Sequence, residues 1–165
     1  MKKVKTKSSR RTSNPTRQSL GRNGSHQTVN STARAKAALR SDAFDRAVLN
    51  AKSVAADNGQ LRELLSRAAE KIVSIPKEPF KETWPYLQTM LRLVRAYSRE
   101  EYRAVSQDGL HAIIAALNYF VDPFDLIPDE VPYLGFIDDA TVVEFAVRNS
   151  REDLEDFMEW EMVAS

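Results

Sequence analysis

Cysteine is missing from this 165-residue chain. Disulfides, thiolate zinc sites and a cysteine nucleophile are therefore excluded, and a reducing compartment is compatible with the composition. Glycine is scarce, at five residues, and no Gly-rich phosphate loop, G-x-S-x-G elbow or H-E-x-x-H pair occurs. Histidine occurs only twice, as His26 and His111. Long apolar runs are also lacking. The longest, residues 110–121, is interrupted by His111 and Asn118 and falls well short of the ~20 residues that a membrane span needs. No apolar stretch follows the basic N-terminus, so no secretory signal is expected. No segment alternates with period two for long enough to read as a strand.

One sign of charge is absent from the first quarter of the chain. Before Asp42 there are eleven basic residues (Lys2, Lys3, Lys5, Lys7, Arg10, Arg11, Arg17, Arg22, Arg34, Lys36 and Arg40) and no acid. The remaining 13 basic residues accompany all 23 acids, so the formal net charge of +1 averages a cationic arm and a strongly acidic body. Residues 1–32 carry only Met1, Val4, Leu20 and Val29 as large apolar side chains. That segment cannot bury enough surface to offset its ordering entropy and is expected to be a disordered basic arm. Residues 33–165 are expected to form a helical domain.

Helical periodicity then runs almost to the end. Phe44, Val48, Ala51 and Ala55 mark one apolar face, ending at Asp57-Asn58-Gly59. Leu61, Leu64, Leu65, Ala68, Ile72 and Val73 mark a second helix, stopped by Ile75-Pro76-Lys77-Glu78-Pro79. Thr83-Trp84-Pro85 opens a third, with proline in the first turn where its missing N–H does no harm. Leu87, Met90, Leu91, Val94 and Tyr97 form its stripe. Ser106 is a fitting N-cap for a fourth helix, apolar on nearly every side through Leu110, Ile113, Ile114, Leu117, Phe120 and Val121. That helix should be central. Asp138 or Asp139 can cap a fifth helix, and Ser150 can start a sixth, whose Glu152, Asp153, Glu155, Asp156, Glu159 and Glu161 read as a solvated face. The fold class is all-α: a small bundle of five to six helices.

Between the fourth and fifth helices the steps Asp122-Pro123, Ile127-Pro128 and Val131-Pro132 forbid continuous helix. Residues 122–137 therefore read as a loop, and its Phe124, Leu126, Ile127, Val131, Tyr133, Leu134, Phe136 and Ile137 predict an ordered cap folded against the central helix. Two readings of its acids stand side by side. They can accept hydrogen bonds from free backbone N–H groups. Alternatively, Asp125, Asp129 and Asp138 or Asp139 supply oxygen ligands to Mg²⁺ or Ca²⁺, although the spacing matches no EF-hand.

Tyr119-Phe-Val-Asp-Pro-Phe-Asp-Leu-Ile-Pro-Asp, followed by Leu134-Gly-Phe-Ile-Asp-Asp-Ala, resembles the signature of the YkvA-like domain family of unknown function. The matching positions are Tyr119, Pro123, Asp125, Leu126, Ile127, Pro128, Asp129, Gly135, Asp138 and Asp139, and the resemblance is strongest over residues 97–160. It implies a small helical, bacterial-type protein with no assigned activity, in a family some of whose members are treated as membrane-associated. Glu130 departs from the pattern by placing a charge where an apolar or aromatic residue is common.

With no catalytic constellation and no cofactor motif, the sequence favours a non-enzymatic helical interaction module. Its Pro/Asp loop would dock on a partner protein or an anionic membrane surface, with the arm as an electrostatic tether. The expected location is cytoplasmic, peripheral at a membrane where lipid is the partner. Sequence-blind nucleic-acid binding through residues 1–40 is one alternative, since the arm offers phosphate-pairing cations but no aromatic side chain for stacking. A divalent-metal site at the loop aspartates is the other.

Overall fold

The computed structural model describes residues 33, 36–122 and 134–165, without the side chains of residues 134 and 135. The arm over residues 1–32 and most of the Pro/Asp loop, including the predicted cap, lie outside the described residues. What is described is all helix and turn: α1 (Asp42–Ala55), α2 (Asn58–Ser74), a 3-10 turn (Glu78–Phe80), α3 (Trp84–Ser98), α4 (Gln107–Val121) and α5 (Leu134–Ala164).

Local chemistry explains where these helices begin and end. Ser41 caps α1, its Oγ accepting from Phe44 N at 3.1 Å. Asp57 caps α2 by accepting from Gly59 N and Gln60 N at 2.8 and 3.1 Å. Those bonds hold its carboxyl below the usual range, the Gln60 backbone contributing most. Gly59 thus lies inside the first turn of α2 rather than beyond α1. At the end of α3 the backbone enters the left-handed region at Glu100, φ 63°. Glu101 N then donates to Ala96 O and Glu100 N to Tyr97 O, at 3.0 and 3.1 Å. This is a Schellman closure with glutamate in the position glycine usually takes.

The fourth-helix expectation holds. Leu110, Ile113, Ile114, Leu117, Tyr119 and Phe120 are all buried, and α4 packs mainly against α5 and α1. Three expectations are corrected. Val48 is 47% exposed, because α1 turns Ala43, Phe44, Ala47, Ala51 and Val54 inward instead. Val73 is 86% exposed, since the inward face of the last turn of α2 is taken by Lys71 and Ile72, which turns position 73 to the outside. The fifth helix starts at Leu134, before Asp138 and Asp139, so neither aspartate caps it and the irregular segment ends by residue 133. With no proline after Pro132, nothing in the sequence forbids that early start.

The expected sixth helix is the second half of α5, beyond a kink at Ser150 (φ −133°, ψ 19°). Ser150 Oγ turns back to donate to Ala146 O at 2.6 Å, a bond that competes with the helical ladder and bends it. Past the kink, Phe157 meets Tyr102 edge-on and Trp160 lies tilted to it, with centroids 5.0 and 5.2 Å away. Burial, and secondarily Asp156 and Asp153, push the Tyr102 hydroxyl above its ordinary value of 10.0. The folded chain therefore holds that proton after the unfolded chain has lost it, so the contribution is full below pH 10 and is lost as pH rises through the folded value. Urea titrations at rising pH should show a loss of stability from this point upward that Tyr102→Phe diminishes. An identical alkaline slope in the variant would refute the assignment.

Candidate functional site

A helix C-terminus leaves carbonyls without intrahelical partners and carries a partial negative charge. At the end of α4 two cations from α2 meet that need. Arg67 donates to Val121 O at 3.0 Å, and Lys71 Nζ donates to Phe120 O. Lys71 Nζ also stands 4.8 Å from the Phe120 ring centre and 3.0 Å from Asp139 Oδ2 in the second turn of α5. A single ammonium thus joins the last turn of α4 to the first turns of α5, on either side of residues 123–133. Arg46, from α1, reaches Asp122 Oδ2 at 3.9 Å. At that separation, and with Arg46 half-exposed, the pair is worth little.

The Lys71–Asp139 pair is of another kind, with side-chain exposures of 16% and 0%. A buried carboxylate beside the negative pole of a helix would be strongly unfavourable, and Lys71 offsets both at once. Its position was readable in one respect: Leu64, Ala68 and Lys71 follow each other at spacings of 4 and 3, so the lysine occupies a place in the buried stripe of α2. A charge on an apolar stripe is the signal, but nothing local names its partner.

Of the motif positions, Tyr119 is fully buried, edge-on to Phe44 with centroids 6.2 Å apart. Asp138 and Asp139 are buried together. Gly135 lies in the first turn of α5. Pro123, Asp125, Leu126, Ile127, Pro128 and Asp129 lie outside the described residues. The metal reading is accordingly placed for two of its four acids. One of these, Asp139, holds Lys71 as its cation. Among the described residues no group of three or more His, Asp or Glu is arranged to hold a metal ion.

The opposite end of α4 is also held by α5. Asp153 accepts from Ser106 N at 2.6 Å and from Ser106 Oγ at 2.7 Å, while Ser106 Oγ accepts from Gly109 N at 3.0 Å. An anion at a helix N-terminus meets free N–H groups and the positive pole. Two acids expected to be merely solvated are therefore engaged: Asp153 here, and Glu161, which takes both Arg92 Nε and NH2 at 2.8 and 3.1 Å. His111 is half-buried on α4, beside Val48 and Phe145.

The geometry defines a small all-α protein whose signature acids close a helical corner from the inside. The family model described as "Protein of unknown function (DUF1232)" matches residues 110–145, from α4 across the loop into α5. The "Uncharacterized membrane protein YkvA" of Bacillus subtilis (strain 168) is 27% identical over 99 residues, covering 60% of this chain and 92% of that protein. No solved structure matches. The resemblance read from the motif is borne out: the chain is similar to YkvA and to a family without assigned function. Among the described residues no helix is long and apolar enough to cross a membrane.

Proposed function

We propose that this protein is a non-enzymatic helical module that docks peripherally on an anionic membrane surface. The observation that carries the reading is the double attachment of Lys71, to Phe120 O before the Pro/Asp segment and to Asp139 after it. The residues between them include Phe124, Leu126, Ile127, Val131 and Tyr133, and the helices on either side are tied to one cation, a fixed frame from which such a stretch can dock. The acidic body repels anionic lipid, so the electrostatic grip falls to the arm, whose bases contribute about 1 kcal/mol each near such a surface. The membrane description of the Bacillus subtilis relative supports the same reading.

Flotation of the full-length chain with phosphatidylcholine vesicles, with and without phosphatidylserine, tests it. Recovery should require phosphatidylserine and fall with added salt. It should collapse when Lys2, Lys3, Lys5, Lys7, Arg10 and Arg11 are all changed to Gln in the intact chain. Equal recovery of both chains, or equal recovery on both vesicles, would overturn the proposal.

A further inference from the structure

The body from Asp42 onward is acidic, with 13 basic against 23 acidic residues, yet three of its arginines line one cleft without a lining acid. The cleft, of about 480 Å³, lies between the start of α2 and the end of α3, an antiparallel pair joined by residues 75–83. Arg62 and Ser66 face it from α2 at spacing i, i+4, and Arg95, Ser98 and Arg99 from α3 at i, i+3, i+4; Leu65 forms part of its floor. Among the described residues neither Arg62 nor Arg95 makes an ion pair, while Arg99 has only Glu101, at 4.0 Å.

Helix polarity explains part of this cluster and leaves the rest. Arg95 and Arg99 sit at the negative end of α3, where cations are favoured. Arg62 sits one turn into α2, at the positive end, where a cation is disfavoured, and it faces two more cations across the cleft. Left empty, this arrangement is repulsive. An anion turns the repulsion among the guanidinium groups into attraction and meets the positive end of α2, while the negative end of α3 opposes it and is screened by Arg95 and Arg99. Guanidinium forks match the oxygens of a phosphate group in bidentate geometry. The Ser66 hydroxyl adds a donor from the α2 wall, whereas Ser98 Oγ is committed to Arg95 O at 2.8 Å and fixes the turn that carries the two α3 arginines. The volume exceeds that of a lone phosphate and leaves room for the group it is attached to.

We propose that the Arg62–Arg95–Arg99 cleft binds a phosphate group, as free phosphate or phosphomonoester or as a phospholipid headgroup. The proposal uses no residue of the basic arm or of the Pro/Asp segment. Amide NMR of the full-length chain titrated with inorganic phosphate should show saturable shifts at residues 62–69 and 95–101. Arg62→Gln/Arg95→Gln, which removes two exposed arginines without breaking an ion pair, should weaken that response at least about tenfold, whereas Lys36→Gln/Lys52→Gln, an equal loss of charge elsewhere, should leave it within about twofold.

A vesicle arm identifies the source of the phosphate. Vesicles of phosphatidylcholine with phosphatidic acid that lose the arginine variant but keep the lysine variant assign a headgroup. Unchanged vesicle recovery beside a lost phosphate response assigns a soluble phosphate. Absence of saturable shifts in the cleft, or equal shifts in both double variants, overturns the site. The arm's six-fold glutamine variant separates the two proposals, because it should abolish flotation on phosphatidylserine yet retain the phosphate response of the cleft.

Discussion

Lys71→Met should destabilise the fold by about 3–5 kcal/mol, the usual consequence of withdrawing one partner from a buried pair. The melting temperature should drop by on the order of ten degrees. Methionine preserves most of the length and apolar stem of lysine, so packing against Phe120 survives and the loss is electrostatic. Three attachments go at once: the bond to Phe120 O, the cation on the Phe120 ring and the charge facing Asp139. Asp139→Asn should cost less, because the amide needs no counter-charge. The double variant should recover at least about 1 kcal/mol relative to the sum of the singles. Chemical denaturation of the four proteins measures this coupling, and strict additivity would show that Lys71 does not act through Asp139. Hydrogen exchange should identify the place affected, with faster exchange at residues 119–122 and 134–140 in Lys71→Met than in the parent.

The second large effect is a change of sign at Gly109. Alanine in the first turn of a helix normally gains about 1 kcal/mol over glycine. Here a Cβ on Gly109 would meet Asp153 Oδ2 at 1.8 Å and Ser106 Oγ at 2.9 Å. The carboxylate can swing aside, but only by releasing Ser106 N and Oγ, charge-assisted bonds worth about 1.5–3 kcal/mol. Gly109→Ala should therefore destabilise by roughly 1–2 kcal/mol. In an Asp153→Ala background the obstruction is gone, and the same substitution should become neutral or stabilising. If alanine at position 109 costs the same in both backgrounds, the close approach of the two helices is not what requires glycine there.

Both sites illustrate what a local reading can and cannot reach. The stripes of α2, α3 and α4 are written in large apolar residues at spacings of three and four, and the caps at Ser106 and Asp57 belong to the same short-range code. On α1 the choice between Val48 and Ala47 was decided by packing against α4, and small residues leave that register open in the sequence. The break at Ser150 was legible as a helix start; that the two halves run on as one bent helix was not, because the hydroxyl bonds Ala146 O without interrupting the chain. The acids of the corner were visible as a motif. Their cation was not, because Lys71 lies 68 residues from Asp139, and Asp153 lies 47 from Ser106. Pairing over such distances depends on the tertiary fold and leaves no spacing to read.

The two places where α5 is held at the ends of α4, through Lys71 of α2 at one and directly at Ser106 at the other, set a length as well as a register. Asp139 and Asp153 are 14 residues apart, at most about 21 Å along the helix path because the kink at Ser150 lies between them, against roughly 22 Å for the 15-residue α4. The last long helix therefore acts as a pair of calipers, gripping one jaw near Phe120 and the other at Ser106. Inserting or deleting one residue between the jaws would rotate one grip by about 100° relative to the other, so that only one could close. Substitutions on the outer face of this span should be tolerated far better than any change in its residue count.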